Sequence, residues 1–315
     1  MRKKLIFASI IMIFSLMTGC SKTTDEDKQS TTLTVYTSIY PIHYVVEQIG
    51  GEAIDVHSVY PPGVDAHTYE PTTREMINIA KGDAFFYMGA GMEGFADQAK
   101  KTLANEDIQF IEIAAKDKTL FLKSDDSNHH EGDYSEDDHD HGDYDPHIWF
   151  DPLRMIQVAE IVTGELAALA PNHEKTFQHN LEIVTEQLTN LNEQYEETLQ
   201  TKKNKQLLVA HAAYGYWEER YGIEQIPISG LSTSDEPSQK ELADIVTFAK
   251  KNELQFVIFE QTGTDKVSEI IREHLGAEGL RIHNLESLTD EDIVREADYL
   301  SIMKENLNVL DQALK

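Results

Sequence analysis

Four short stretches of this chain bring together residue types that do metal chemistry. His67 stands in Pro61-Pro-Gly-Val-Asp-Ala-His67-Thr-Tyr-Glu-Pro71, a run bounded by prolines. His147 stands in Asp145-Pro-His147-Ile-Trp-Phe-Asp-Pro152, again between prolines and two residues from Trp149. His211 closes the apolar run Leu207-Leu-Val-Ala210 and leads into Ala212-Ala-Tyr-Gly-Tyr216, while Leu280-Arg-Ile282 runs into His283-Asn-Leu-Glu286. The apolar runs read as strands, which puts these side chains in loops at strand ends. Open α/β sheets bind their ligands there.

A single such histidine is usually a satisfied core residue; one ligand candidate in each of four strand-end loops is not a chance pattern. His67, His147 and His211 with one carboxylate would complete a tetrahedral shell for Zn²⁺, with Zn–N distances of about 2.0–2.1 Å. Such a shell has no open position for water or substrate, so it holds an ion rather than hydrolysing a bond. Glu286 is the expected fourth ligand. Glu260, which follows Phe256-Val-Ile-Phe259, is the rival, or else a group that orients a ligating histidine. A third imidazole suits Zn²⁺, whereas a second carboxylate would suit Mn²⁺ better.

The elements that must position these residues alternate. Strands are expected at Leu33–Tyr36, Ile54–Tyr60, Ala84–Met88 and Gln109–Ile113, then at Gln206–Ala210, Gln225–Ile228, Phe256–Phe259 and Leu280–Ile282. Helices are expected between them, among others at Arg74–Lys81, Pro152–Ala170, Pro237–Lys251 and Asp265–Leu275. That alternation predicts an α/β fold of two lobes, each a mostly parallel four-stranded sheet with flanking helices. Between the two groups, Phe177, Leu181, Val184, Leu188, Leu191, Tyr195 and Leu199 recur every three or four residues on one helical face, predicting a single stiff helix from His173 to Gln200. It would be roughly 40 Å long, enough to join two small lobes. The expected organisation is an N-terminal lobe over 33–171, a connecting helix over 172–202 and a C-terminal lobe over 203–315.

Charge and composition exclude other classes. With 27 Lys plus Arg against 56 Asp plus Glu, the 315-residue chain has a formal net charge of −29. It repels phosphate backbones, so nucleic acid is not an expected partner, and it favours cations. A single cysteine, Cys20, leaves no disulfide framework and no Cys-rich zinc knuckle. The start is basic (Arg2, Lys3, Lys4), then apolar from Leu5 to Met17, then Thr18-Gly19-Cys20. Residues 1–19 therefore read as a secretory signal and Cys20 as the lipidated first residue of a polar tether over 20–32. Ser124–His147 holds ten acidic residues and five histidines without an aliphatic side chain, so it cannot bury a core. Its loop, 124–146, sets His129, His130, His139 and His141 beside carboxylates and reads as an auxiliary metal-collecting segment.

The stretches around His67, His147 and His211 resemble the metal-site segments of bacterial zinc-binding solute-binding lipoproteins, which serve ABC-type zinc importers. Ile228-Ser-Gly-Leu-Ser-Thr-Ser-Asp-Glu-Pro237 and Tyr299-Leu-Ser-Ile-Met-Lys-Glu-Asn-Leu307 extend the resemblance through the chain. It implies two α/β lobes joined by one rigid helix with the metal in the cleft between them. It also implies His67, His147 and His211 as ligands, with Glu286 at the acidic fourth position. Manganese-binding relatives carry Glu where His211 stands, and an acidic His-rich loop before the second ligand is typical of the zinc branch. Ala66 departs from the Pro usual before the first ligand. Some zinc members carry a further C-terminal zinc-binding domain, which is not expected here.

Two motifs point elsewhere. Gly89-Ala-Gly91-Met-Glu-Gly94 fits the dinucleotide fingerprint but follows the third expected strand rather than the first, so a tight turn into a helix is expected. Ser232-Thr-Ser234 and Asp235 suggest a hydrolase near His211 but lack a G-x-S-x-G elbow. His43, His57, His173, His179, His274 and His283 are expected to be surface or core residues. The expectation is a monomeric, non-catalytic receptor, lipid-anchored outside the cell, that passes Zn²⁺ to an ABC permease. Its rivals are a manganese or iron receptor on the same scaffold and a metal-dependent hydrolase.

Overall fold

The computed structural model describes residues 32–124, 144–235, 237–262 and 266–314. The expected signal, the lipidation site Cys20, nearly all of the tether, and His129, His130, His139 and His141 lie outside the described residues. Two sheets of four parallel strands carry the fold. The first holds β1 (Leu33–Thr37), β2 (Ile54–Ser58), β3 (Ala84–Tyr87) and β4 (Gln109–Glu112) in the order β2-β1-β3-β4. The second holds β5 (Gln206–His211), β6 (Glu224–Ser229), β7 (Phe256–Glu260) and β8 (Glu278–Ile282) in the order β6-β5-β7-β8. Both sheets thus share one winding. Each reverses direction between its two central strands, the kind of switch point at which α/β sheets hold ligands.

The helices are α1 (Tyr40–Gly50), α2 (Thr73–Ile79), α3 (Ala96–Thr102), α4 (Ile113–Lys116), α5 (Pro152–Leu169) and α6 (Glu174–Leu199), followed by α7 (Gly215–Tyr221), α8 (Gln239–Lys251), α9 (Lys266–Leu275), α10 (Asp290–Val294) and α11 (Tyr299–Ala313). Helix α6 has 26 residues, about 40 Å at 1.5 Å per residue. Of its expected apolar face, Phe177, Val184, Leu188, Leu191, Tyr195 and Leu199 are buried and Leu181 is half-buried. Element ends follow local chemistry. β2 stops at Ser58 because the Ser58 hydroxyl folds back on the main chain of Tyr60, 3.0 Å from its oxygen. Pro227 is tolerated inside β6 because that strand lies at a sheet edge and pairs with β5 alone. Helix α8 starts at Gln239 because Ser238 caps it in a reciprocal box with Glu241.

The core runs through both halves. The inner face of the second sheet, with Leu207, Val209, Ile258 and Ile282, joins the same hydrophobic cluster as Val35, Phe85 and Phe86 of the first sheet. Its outer face, with Leu208, Val257 and Phe259, packs under α8 and α9 in a smaller cluster. Between the sheets lies an aromatic layer. Phe150 meets Trp217 at 4.7 Å and Tyr214 at 5.0 Å between ring centres, and Tyr195 of α6 stacks on Tyr221 at 5.3 Å. Helix α11 closes the layer, its Tyr299 hydroxyl donating to the Trp149 carbonyl at 2.6 Å.

The glycine-rich segment after β3 is a turn into α3, with φ of +75° at Gly89, +53° at Ala90 and +83° at Gly91. The amides a phosphate would use are already occupied. The buried Glu93 carboxylate accepts from the Met88 and Gly89 N–H groups, both at 2.9 Å, and from the Ser38 hydroxyl at 2.5 Å. Among the described residues no helix is long and apolar enough to cross a membrane.

Candidate metal centre

The four expected ligands come from four elements and meet in one place. His67 lies in the loop after β2, His147 just before α5, His211 at the last position of β5, and Glu286 four residues beyond β8. One donor atom from each lies within 4.8 Å of all the others. His147 Nε2 is 3.3 Å from His67 Nε2 and 3.4 Å from His211 Nε2, and His67 Nε2 is 3.6 Å from Glu286 Oε1. Donors at about 2.05 Å from a tetrahedral ion are about 3.3–3.4 Å apart, so this spacing fits a zinc-sized centre. Burial is nearly complete: side-chain exposure is 0% for His147, 2% for His211 and 1% for Glu286, against 7% for His67.

Three of the donors, those of His147, His211 and Glu286, are turned inward by a partner on the far side. Asp145 Oδ1 accepts from the His147 main-chain N–H at 2.9 Å and faces its Nδ1 at 2.8 Å. That arrangement places the ring proton on Nδ1 and the Nε2 lone pair in the centre. Glu260, at the end of β7, touches Nδ1 of His211 and does the same for that ring. Because β5 and β7 are neighbours in register, Leu208 opposite Val257 and Val209 opposite Ile258, sheet pairing brings His211 and Glu260 together. Glu286 Oε2 accepts the Ala66 N–H at 3.1 Å, which leaves the buried Oε1 without a hydrogen-bond partner and turned to the imidazoles. Asn284 links the Glu260 carboxylate to the main chain of Glu286, its Nδ2 donating to Glu260 Oε2 at 3.1 Å and its Oδ1 accepting from the Glu286 N–H at 3.3 Å.

The electrostatics are those of a site short of positive charge. Burial drives His147 well below its ordinary pKa and pushes Asp145 up to about 7. Burial would also lower His211, but the Glu260 carboxylate in contact with it, with the charges of Glu286 and Asp65, outweighs that and raises it to about 9. Burial, and then the Glu260 charge, raise Glu286. A dication among these donors would relieve the repulsion between the carboxylates and satisfy the inward lone pairs at once.

Asp145, Asn284 and Asp65 were not singled out as functional from the sequence. For two of them a signal exists, since Asp65-Ala-His67 and Asp145-Pro-His147 share one spacing. An Asp side chain readily bonds its own main chain two residues on, and Asp65 Oδ1 accepts the His67 N–H at 2.9 Å just as Asp145 does for His147. His283 is not a ligand candidate in the fold. Its Nε2 meets Asp292 at 2.9 Å and its Nδ1 accepts the Leu285 N–H at 2.9 Å, so it braces the segment that carries Glu286.

Comparison with known proteins places the chain. The chain is 31% identical over 314 residues to the zinc-binding lipoprotein AdcA of Streptococcus pneumoniae, covering 98% of this chain and 60% of that protein. It thus spans about three fifths of the length of that relative. It is 29% identical to the high-affinity zinc uptake system protein ZnuA of Bacillus subtilis, covering 97% and 96% of the two chains. The crystal structure of the Zn(II)-bound ZnuA-like domain of S. pneumoniae AdcA matches with a TM-score of 0.72 at 29% identity, over 90% of this chain and 98% of that one. Residues 35–313 match the family model described as ZnuA, zinc-uptake complex component A, periplasmic, and the chain belongs to that family.

Proposed function

We propose that this protein is an extracellular zinc receptor in which His67, His147, His211 and Glu286 hold one Zn²⁺ as cargo for delivery to the permease of an ABC importer. The observation that carries the reading is the convergence of three imidazole nitrogens and one carboxylate oxygen within 4.8 Å of one another, with neighbouring donors at 3.3, 3.4 and 3.6 Å. The closed shell makes it a receptor and not an enzyme, because no coordination position remains for a reacting water. Three imidazoles favour zinc over manganese. The basic and apolar start and the solitary Cys20 support export and a lipid anchor on the outer face of the cytoplasmic membrane, with the chain working as a monomer. The acidic, His-rich composition of residues 124–146 supports a role in collecting metal for the site.

Metal analysis of protein purified without added metal tests the reading. One equivalent of zinc is expected, absent from the His211→Ala variant. Stoichiometric manganese or iron in its place would overturn the zinc assignment, and measurable hydrolytic turnover would overturn the receptor assignment.

A further inference from the structure

The loop carrying His67 is sewn to the C-terminal half from two sides. On one side all contacts run to the segment that carries Glu286. The Gly63 N–H donates to the Leu288 carbonyl at 2.9 Å, the Ser287 hydroxyl to the Val64 carbonyl at 2.8 Å, and the Ala66 N–H to Glu286 Oε2 at 3.1 Å. On the other side the Thr233 hydroxyl, in the turn after β6, donates to Asp65 Oδ2 at 2.5 Å. The two oxygens of Asp65 therefore have separate tasks. Oδ1 holds the main-chain N–H groups of His67 and Thr68 at 2.9 and 3.2 Å, while Oδ2 reaches across the cleft.

Thr233 is presented by a turn that is already set. The Ser232 N–H donates to Asp235 Oδ2 at 3.0 Å, the Ser234 N–H to the Ser232 hydroxyl at 3.3 Å, and the Gly230 carbonyl accepts the N–H of Ala212, the residue after His211, at 2.9 Å. One hydroxyl thus links the main chain beside His211 to the main chain of His67. His67 is also the most exposed of the four donors, its side chain 7% exposed against 0–2% for the others, so it is the donor most open to solvent.

Resting on the zinc-receptor reading, we propose that Thr233 is a positioning residue: by holding Asp65 it keeps His67 in the shell and sets how long a bound ion stays. Donation to a carboxylate is among the stronger hydrogen bonds, and its loss weakens the closed arrangement without removing a donor to the metal. Dissociation should therefore suffer while encounter does not.

The test is release of zinc from the full loaded chain into excess chelator, followed by stopped flow. Thr233→Val should release zinc about 10-fold faster than the unchanged protein, with an unaltered association rate. Thr233→Ser, which restores the hydroxyl, should return the slow release. The far-ultraviolet circular dichroism of the metal-free protein should be the same in all three, showing that each variant folds. Equal release from Thr233→Val, or fast release from Thr233→Ser, would overturn the proposal. So would a lower metal-free melting temperature with release unchanged, the mark of a merely structural threonine. An unchanged protein that takes up no zinc would instead remove the receptor reading itself.

Discussion

The two halves of the candidate metal centre are built by different means. His67 and His147, from the N-terminal half, each follow an aspartate by two residues and are aimed by a turn that this aspartate closes on its own main chain. His211 and Glu286, from the C-terminal half, depend on contacts distant in sequence. Glu260 reaches His211 only because β5 and β7 pair in register, and Asn284 then couples Glu260 to Glu286. The charge is divided as unevenly. Glu260 and Glu286, both in the C-terminal half, with a smaller share from Asp65, push His211 up to about 9, while burial drives His147 down. The N-terminal half supplies preset neutral donors, and the C-terminal half supplies the negative field that draws a dication.

The comparison can be broken most sharply at the ligands. Replacing His211 by Ala should weaken zinc binding by more than the roughly 100-fold that loss of an outer partner costs, as read by competition with a chelator. A smaller loss would mean that the centre does not use this ring. Next come the residues behind the rings. Glu260→Gln should cost close to 100-fold because it removes the charge in contact with His211, and Asp145→Asn nearer 10-fold because burial already pushes Asp145 up to about 7, toward its neutral form; the amide oxygen can still accept from the ring in both. The opposite order in isothermal titration would refute the division of labour between the halves.

A third prediction concerns acid stability of the C-terminal half. Burial holds His283 below its ordinary pKa, only partly offset by Asp292. The unfolded chain takes up a proton near pH 6.5 that the folded His283 resists, so this contribution is present above that pH and lost as pH falls. Burial would raise Asp292, but the Thr289 hydroxyl and N–H, the Arg295 guanidinium and His283 hold its carboxyl well below the usual range. Its stabilisation is therefore present above about pH 4 and lost below. The melting temperature should fall between pH 7 and pH 5, less steeply in His283→Gln, and Asp292→Asn should cost about 1–3 kcal/mol at pH 7. Equal slopes would show that His283 titrates freely.

The smallest expected effect is on equilibrium affinity after removal of residues 125–143. The flanks of that segment are already joined, with Lys123 bridged to Tyr144, the Asp145 N–H on the Leu122 carbonyl at 2.9 Å, and the Tyr216 hydroxyl donating to the Asp145 carbonyl at 2.6 Å. Tight binding should be unchanged while uptake slows under zinc scarcity. Loss of the tight site would assign the segment a primary ligand.

Much of this was legible in the chain, for reasons that differ by region. All eight strands were, since short Val-, Ile- and Phe-rich runs bounded by polar turns have few other readings. The face of α6 was legible because its period persists over seven turns. Helix α1 was not named in advance. Pro41, Ile42, Tyr44, Val45, Val46 and Ile49 are all buried, so the segment has little of the polar stripe that separates a helix from a strand. At the site, side chains next to strand ends and prolines stood out, but whether Glu286 or Glu260 faces the centre turns on Ala66 and Asn284, which no local pattern announces. The bond from Thr233 to Asp65 spans 168 positions and exists only once both halves are assembled.

The aromatic layer between the sheets constrains how loading can be sensed. Rings of this kind bury 150–250 Å² each, about 4–6 kcal/mol apiece at 25 cal/mol per Å², so exposing Phe150, Tyr214 and Trp217 together would consume most of the stability of an ordinary domain. A swing that parted the two halves far enough to expose these rings would therefore be costly. In the receptor proposed above, a loaded and an empty state would then differ at the few residues around His67, the most exposed of the four donors.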